Sequence, residues 1–197
     1  LGPEQSGFIN EIGFDTYQKI LNEAIEELKQ EELKDHFPNE NELFFVKDCL
    51  IDTDFEVLIP DEYVNNVNER LELYKELNEL SSFKELEVFK NSLVDRFGEL
   101  PNQVEKLLKL VELKWICKKI GFEKVILKSK KLIGYFIIDK ESKYYQSEQF
   151  SQVLKFVQTR FSVCKMQEKN NKLSLVILNV ENVKDALVVL NKLALEE

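Results

Sequence analysis

Apolar and polar positions alternate along this chain with two distinct periods. From Phe14 the apolar residues fall at Phe14, Tyr17, Ile20, Leu21, Ala24 and Leu28, one face of a helix running to about His36, with acids crowding the other face. Pro38 ends that pattern and the FPNENE stretch is a linker. Residues 1–13 (LGPEQSGFINEIG) read as loop. Strand candidates follow at Leu43–Val46 and Phe55–Ile59. Three helices come next. The first starts after Pro60, with Tyr63, Val67, Leu71, Tyr74 and Leu77 as its apolar face. The second carries Phe83, Leu86, Phe89, Leu93 and Phe97 and stops at Gly98. The third opens on Pro101 and closes at Gly121. Its apolar arc, Val104, Leu107, Leu108, Val111, Trp115, Ile116 and Ile120, is too wide for one buried face and predicts burial on more than one side.

After Gly121 the period shortens. Val125–Leu127 and Leu132–Ile138 read as strands around the turn Lys128–Lys131, and Val163–Met166 and Leu173–Leu178 as strands around Lys169–Lys172. Each pair precedes a helical pattern: Phe150, Val153, Leu154, Val157 and Phe161, then Val183, Ala186, Leu187, Leu190 and Leu193. The order strand–strand–helix thus occurs twice. The predicted fold is α+β: a long N-terminal helix and linker over residues 1–50, then a helical subdomain packed with a small antiparallel four-stranded sheet covered by helices over 51–197.

Composition narrows the function. The chain has 197 residues, 44% of them hydrophobic, with 6 Gly and 4 Pro, which suits a packed core and not a disordered or fibrous chain. It begins with Leu1 and reads as a piece of something longer. No run of 18 apolar residues could span a membrane. Cys49, Cys117 and Cys164 are odd in number and widely spaced, as core thiols of a reducing, cytoplasmic protein are. The net charge of −9 opposes unaided binding to nucleic acid, but the sign is uneven. Residues 51–122 hold fifteen acids and ten bases, whereas 123–197 hold nine acids and thirteen bases, so two surfaces with different partners are expected.

The parts of an enzyme are missing. His36 is the single histidine and suits the end of an acidic helix, and no metal-pair, nucleophile-elbow or phosphate-loop motif occurs. Lys114, Lys118 and Lys119 flank Trp115, but the periodicity puts Trp115 on the apolar face and the lysines on the wet one. No catalytic residue, metal ligand or cofactor site is therefore assigned to the chain.

Two stretches carry a likeness. In Leu1–Leu28 an L-G-x-E-Q-S-G segment precedes a G-F-x-x-Y-x-x-L-x-E-A helix. In Ile59–Phe122 the order is I-P-D-E-Y-V (Ile59 to Val64), N-x-R-L-x-L-Y (Asn68, Arg70, Leu71, Leu73, Tyr74), and L-x-D-R-F-G-x-L-P (Leu93, Asp95, Arg96, Phe97, Gly98, Leu100, Pro101). These blocks resemble the C-terminal region of bacterial transcription-repair coupling factors. The first resembles the tail of the TRG motif that ends the translocase motor, shared with the helicase RecG, and Gln5 is its most recognisable polar residue. Its hallmark Arg-Gly is absent here. The second resembles the C-terminal regulatory domain.

The resemblance implies a non-catalytic, autoinhibitory fragment of an ATP-dependent DNA translocase of transcription-coupled repair. In that family the ATP and Mg sites and DNA contact belong to the motor, and the C-terminal domain docks on the UvrA-binding N-terminal module of the same chain. UvrA and RNA polymerase are reached indirectly, and the fragment itself is expected to be monomeric. Asp95 and Arg96, at the end of the second helix, are the expected docking residues. The alternative for them is a local ion pair fixing the turn into Pro101. The alternative function is a nucleic-acid-binding accessory module using the basic 123–197 sheet. Where the family often carries a glutamate this chain has Ser92, which removes one acidic contact.

Overall fold

The structure is a computed structural model that describes residues 45–195. Gln5, His36 and the helix read over residues 14–36 lie outside the described residues. Strand β1 (Leu50–Thr53) leads through an irregular stretch to helices α1 (Val67–Glu79), α2 (Phe83–Phe97) and α3 (Asn102–Ile120). Then come β2 (Phe122–Lys128), β3 (Lys131–Phe136), α4 (Glu148–Thr159), β4 (Cys164–Lys169), β5 (Lys172–Leu178) and α5 (Val183–Leu195). A single turn of 3-10 helix at Lys143–Gln146 precedes α4.

The sheet has five strands in the order β1-β2-β3-β5-β4, and it is mixed. The four strands expected from the two repeats are there and antiparallel; the correction is β1, which adds to β2 in parallel. Phe55–Ile59 is not a strand, nor are Phe45 and Val46. β1 hides from periodicity because it is an edge strand of four residues, two of them polar, with the Asp52 carboxylate tied to Lys128 at 2.6 Å. Both hairpins turn through two residues with positive φ, Ser129–Lys130 and Asn170–Asn171, as the twist of adjacent strands favours.

Helix α1 also differs from expectation. Pro60 starts a separate turn, its carbonyl accepting from the N–H groups of Tyr63 and Val64 at 3.1 and 3.0 Å. The helix begins only at Val67, where the Asn66 side chain accepts from the N–H of Asn68 and of Glu69. Its buried residues are Leu73 and Leu77, whereas Val67 and Leu71 face outward, 59% and 54% exposed. At the end of α4 the chain leaves the helix at Thr159, so Phe161 is 83% exposed and not part of the packed face.

Two hydrophobic cores result. One joins Ile59, Val64, Leu73, Leu77, Leu86, Phe89 and Leu93 of the helical layer. The other packs one face of the sheet against α4 and α5. Helix α3 serves both: Val104 and Leu108 lie in the first, and Leu113, Ile116, Cys117 and Ile120 in the second. That explains its wide apolar arc. Residues 45–49, placed from the sequence in the N-terminal region ahead of the second domain, contribute Val46 and Cys49 to the sheet core. The three cysteines are buried free thiols, and burial pushes Cys117 and Cys164 above the usual thiol range. Among the described residues no helix is long and apolar enough to cross a membrane, and no His/Cys/Asp/Glu group could hold a metal ion.

Candidate docking surface

The neighbouring segments Ile59–Val64 and Asn68–Tyr74 meet Leu93–Pro101, about twenty residues further on, at one corner of the helical layer. Hydrogen bonds stitch them together. The Ile59 N–H donates to the Tyr74 hydroxyl at 2.8 Å. The Tyr63 hydroxyl lies 3.1 Å from the Leu93 carbonyl and 3.0 Å from that of Gly98, so it closes the C-terminus of α2. Burial raises the Tyr63 pKa, which keeps that hydroxyl a donor. The Arg70 guanidinium donates to the carbonyls of Val64 at 2.5 Å and Asn65 at 3.3 Å. Gly98, at φ +86, ends α2, and the Tyr63 and Phe97 rings pack with centroids 5.7 Å apart. Most residues of these segments are thus accounted for by architecture.

Asp95 and Arg96 are among the exposed residues left over for a partner, with Asp61, Glu62 and Leu71. Both are exposed at the last turn of α2, and they do not pair with each other. Arg96 reaches back to Glu69 on α1 at 2.7 Å and lies 4.8 Å over the Phe97 ring, so the local ion pair considered from sequence is replaced by a bridge between helices. At 45% and 35% side-chain exposure the bridge is solvated and adds at most about 1 kcal/mol to stability; its effect is to fix where the guanidinium points. The helix C-terminus favours a cation there and disfavours Asp95. Asp95 has no ion pair among the described residues. Along α2 the outward row is Lys84, Val88, Asn91 and Asp95, with Val88 64% exposed, and α1 presents Val67 and Leu71. Glu69 was not singled out from the sequence. Its place three residues past Asn66 marks the first turn of α1, but nothing local points to a partner 27 residues on.

The other basic cluster is not free. Lys114 pairs with Asp48 at 2.7 Å, Lys118 and Lys119 are engaged, and the Trp115 ring meets Phe83 edge-on at 5.3 Å beside the helical core. At the other end of α2, Ser82 and Glu85 form a capping box. The Glu85 carboxylate accepts from the N–H of Ser81 at 2.8 Å, from its hydroxyl at 3.1 Å and from the Ser82 N–H at 3.2 Å. These bonds, the Ser81 N–H first, hold its pKa below the usual 4.5. A lowered folded-state value makes protonation destabilising: the contribution is complete above pH 4.5 and is lost as pH falls through the lowered value. Glu85→Gln should therefore flatten the decline of stability as pH falls below 4.5, measured by urea midpoints across a pH series. A mutant with an unchanged acid limb would contradict the assignment.

Comparison with known proteins places this corner. The family described as the TRCF domain matches residues 53–147, which include all three segments. The transcription-repair-coupling factor of Rickettsia typhi is 34% identical over 173 residues, 88% of this chain, and that of Rickettsia bellii 32% identical over 170 residues, 86% of this chain. The chain belongs to the transcription-repair coupling factor family. It spans 14% of the length of each of those two relatives. The factor of Bacillus subtilis is 33% identical over 115 residues, 58% of this chain. A crystal structure of the C-terminal domain of a transcription-repair coupling factor shares the fold with a TM-score of 0.61 at 21% identity, covering 75% of this chain and 92% of that one. The TRCF-domain match thus falls on an α+β module that holds the whole helical layer and the hairpin β2–β3.

Proposed function

We propose that this region is the autoinhibitory domain of its parent coupling factor, docking on the UvrA-binding N-terminal module and restraining the translocase until polymerase is engaged. The observation that carries the reading is the outward face of the helical layer. There Asp95 stands without an ion pair, Arg96 is held in place by Glu69, and Val67, Leu71 and Val88 are exposed beside them. A few aliphatic contacts supply affinity, and the charges supply register and ease of release. A docked state that must open on demand needs a modest free energy, since a few kcal/mol already moves a two-state equilibrium strongly. ATP, Mg and DNA would be handled by the parent motor, UvrA and RNA polymerase would be reached through other parts of the parent, and the whole would work in the cytoplasm.

Asp95→Lys tests this. The substitution should weaken binding of the domain to the separate N-terminal module by about tenfold and raise the basal ATPase of the parent. A folded mutant with unchanged binding and unchanged ATPase would remove this face from the interface.

A further inference from the structure

Among the described residues, helices cover only one face of the sheet. Side chains alternate along each strand, so the register assigns the other face residue by residue. Val125, Leu127, Leu132, Phe136, Leu175 and Ile177 point into the core with α3, α4 and α5. Their neighbours Ile126, Ile133, Tyr135 and Val176 belong to neither core. Strand pairing lines these up. Asp52, Ile126, Ile133, Val176 and Lys165 form one row across all five strands. Lys124, Tyr135, Ser174 and Gln167 form the next, and Lys128 and Lys131 pair on the opposite side. Lys169 and Lys172 sit on the same face at the hairpin end.

The charge on this face is one-sided. Its strand positions hold six lysines, at 124, 128, 131, 165, 169 and 172, and one carboxylate, Asp52, which is engaged by Lys128. Residues 45–195 as a whole carry 24 bases and 23 acids, so the excess is local to the face. Its centre is aliphatic and half dry: Val176 is only 6% exposed with no described helix above it, while Ile126 and Ile133 are half-buried.

We propose that this sheet face, which no described helix covers, is a docking site for an acidic amphipathic helix of a partner protein. Three aliphatic side chains on adjacent strands are spaced by about 5 Å. That matches the spacing of about 5–6 Å between i and i+4 side chains on a helix. A helix with an apolar stripe over Ile126, Ile133 and Val176 would set its acidic flanks against the lysines and add the missing third layer. Single-stranded nucleic acid matches the lysines but not the centre, because successive bases need aromatic platforms and this face offers one ring, Tyr135. This face is separate from the α1/α2 corner, so both surfaces could be occupied together.

The test titrates the full chain with labelled 18-residue helical peptides and with 20-nucleotide oligo(dT). One peptide carries leucines at i, i+3, i+4 and i+7 with glutamates around them; a second replaces the leucines by serines, and a third the glutamates by lysines. The acidic leucine peptide should bind with micromolar affinity and shift the NMR signals of Ile126, Ile133 and Val176, while the other two bind at least tenfold more weakly. The exposed-residue double variant Lys124→Glu/Lys165→Glu should fold normally and lose tenfold or more of that affinity. Equal binding of the serine peptide, tighter binding of oligo(dT), no shifts on the three aliphatic residues, or full affinity in the double variant would each overturn the proposal.

Discussion

Gly121→Ala is expected to destabilise the domain by about 2–5 kcal/mol, combining backbone strain with overpacking. Gly121 closes α3 in the left-handed region at φ +98, where a side chain costs about 1–2 kcal/mol. A Cβ there would lie 2.3–2.7 Å from three atoms of the Tyr144 ring and hydroxyl. Tyr144 has nowhere to retreat. It is fully buried, its hydroxyl donates to the Ile120 carbonyl at 2.6 Å, and it packs against the rings of Phe45, Phe136, Tyr145 and Phe150. Burial raises its pKa well above the usual phenol range, which keeps the hydroxyl a donor. Urea denaturation followed by circular dichroism measures the loss, and a change under about 1 kcal/mol would show that the ring can move.

Phe89→Ala is expected to cost about 3–5 kcal/mol, because it opens a cavity in the helical core where Phe89 is 2% exposed between Leu86 and Leu93. The form of the transition matters as much as its midpoint. Helix α3 belongs to both cores, so the helical layer and the sheet should lose structure together, at a lower denaturant concentration and with unchanged cooperativity. Trp115, the single tryptophan, reports on the helical layer, and the far-ultraviolet signal reports on both. Two separated transitions would mean that the helical layer unfolds alone, against the shared-helix reading.

Much of this was legible in the sequence, and the failures have physical reasons. α2 and α3 carry strong stripes bounded by Gly98, Pro101 and Gly121, so their limits could be read nearly to the residue. The hairpins were visible because β-rich runs flank four-residue polar segments, of which the middle two residues make each turn. α1 misled because its sequence holds two apolar rows at helical spacing, Val67–Leu71 and Leu73–Leu77. Only tertiary packing selects the second. At the candidate docking corner the exposure of Asp95 and Arg96 followed from their place on α2. The partner Glu69 did not, because helix periodicity carries no information about which helix lies alongside. The lysines of the sheet were counted correctly as a basic excess, but their gathering on one face depends on register and on which face the helices cover.

The late addition of β1 to the sheet bears on how the domain assembles. Its partner strand lies about seventy residues further along the chain, beyond the entire helical layer, whereas β2–β3 and β4–β5 are closed by two-residue turns. Loop-closure entropy therefore favours the hairpins and local helices early, with β1 zipping onto the edge only once α3 has brought the two ends together. The same four-residue ladder is the one whose amides should exchange with solvent first in the native state. The parallel edge of the sheet is thus expected to be the last part to form and the first to open.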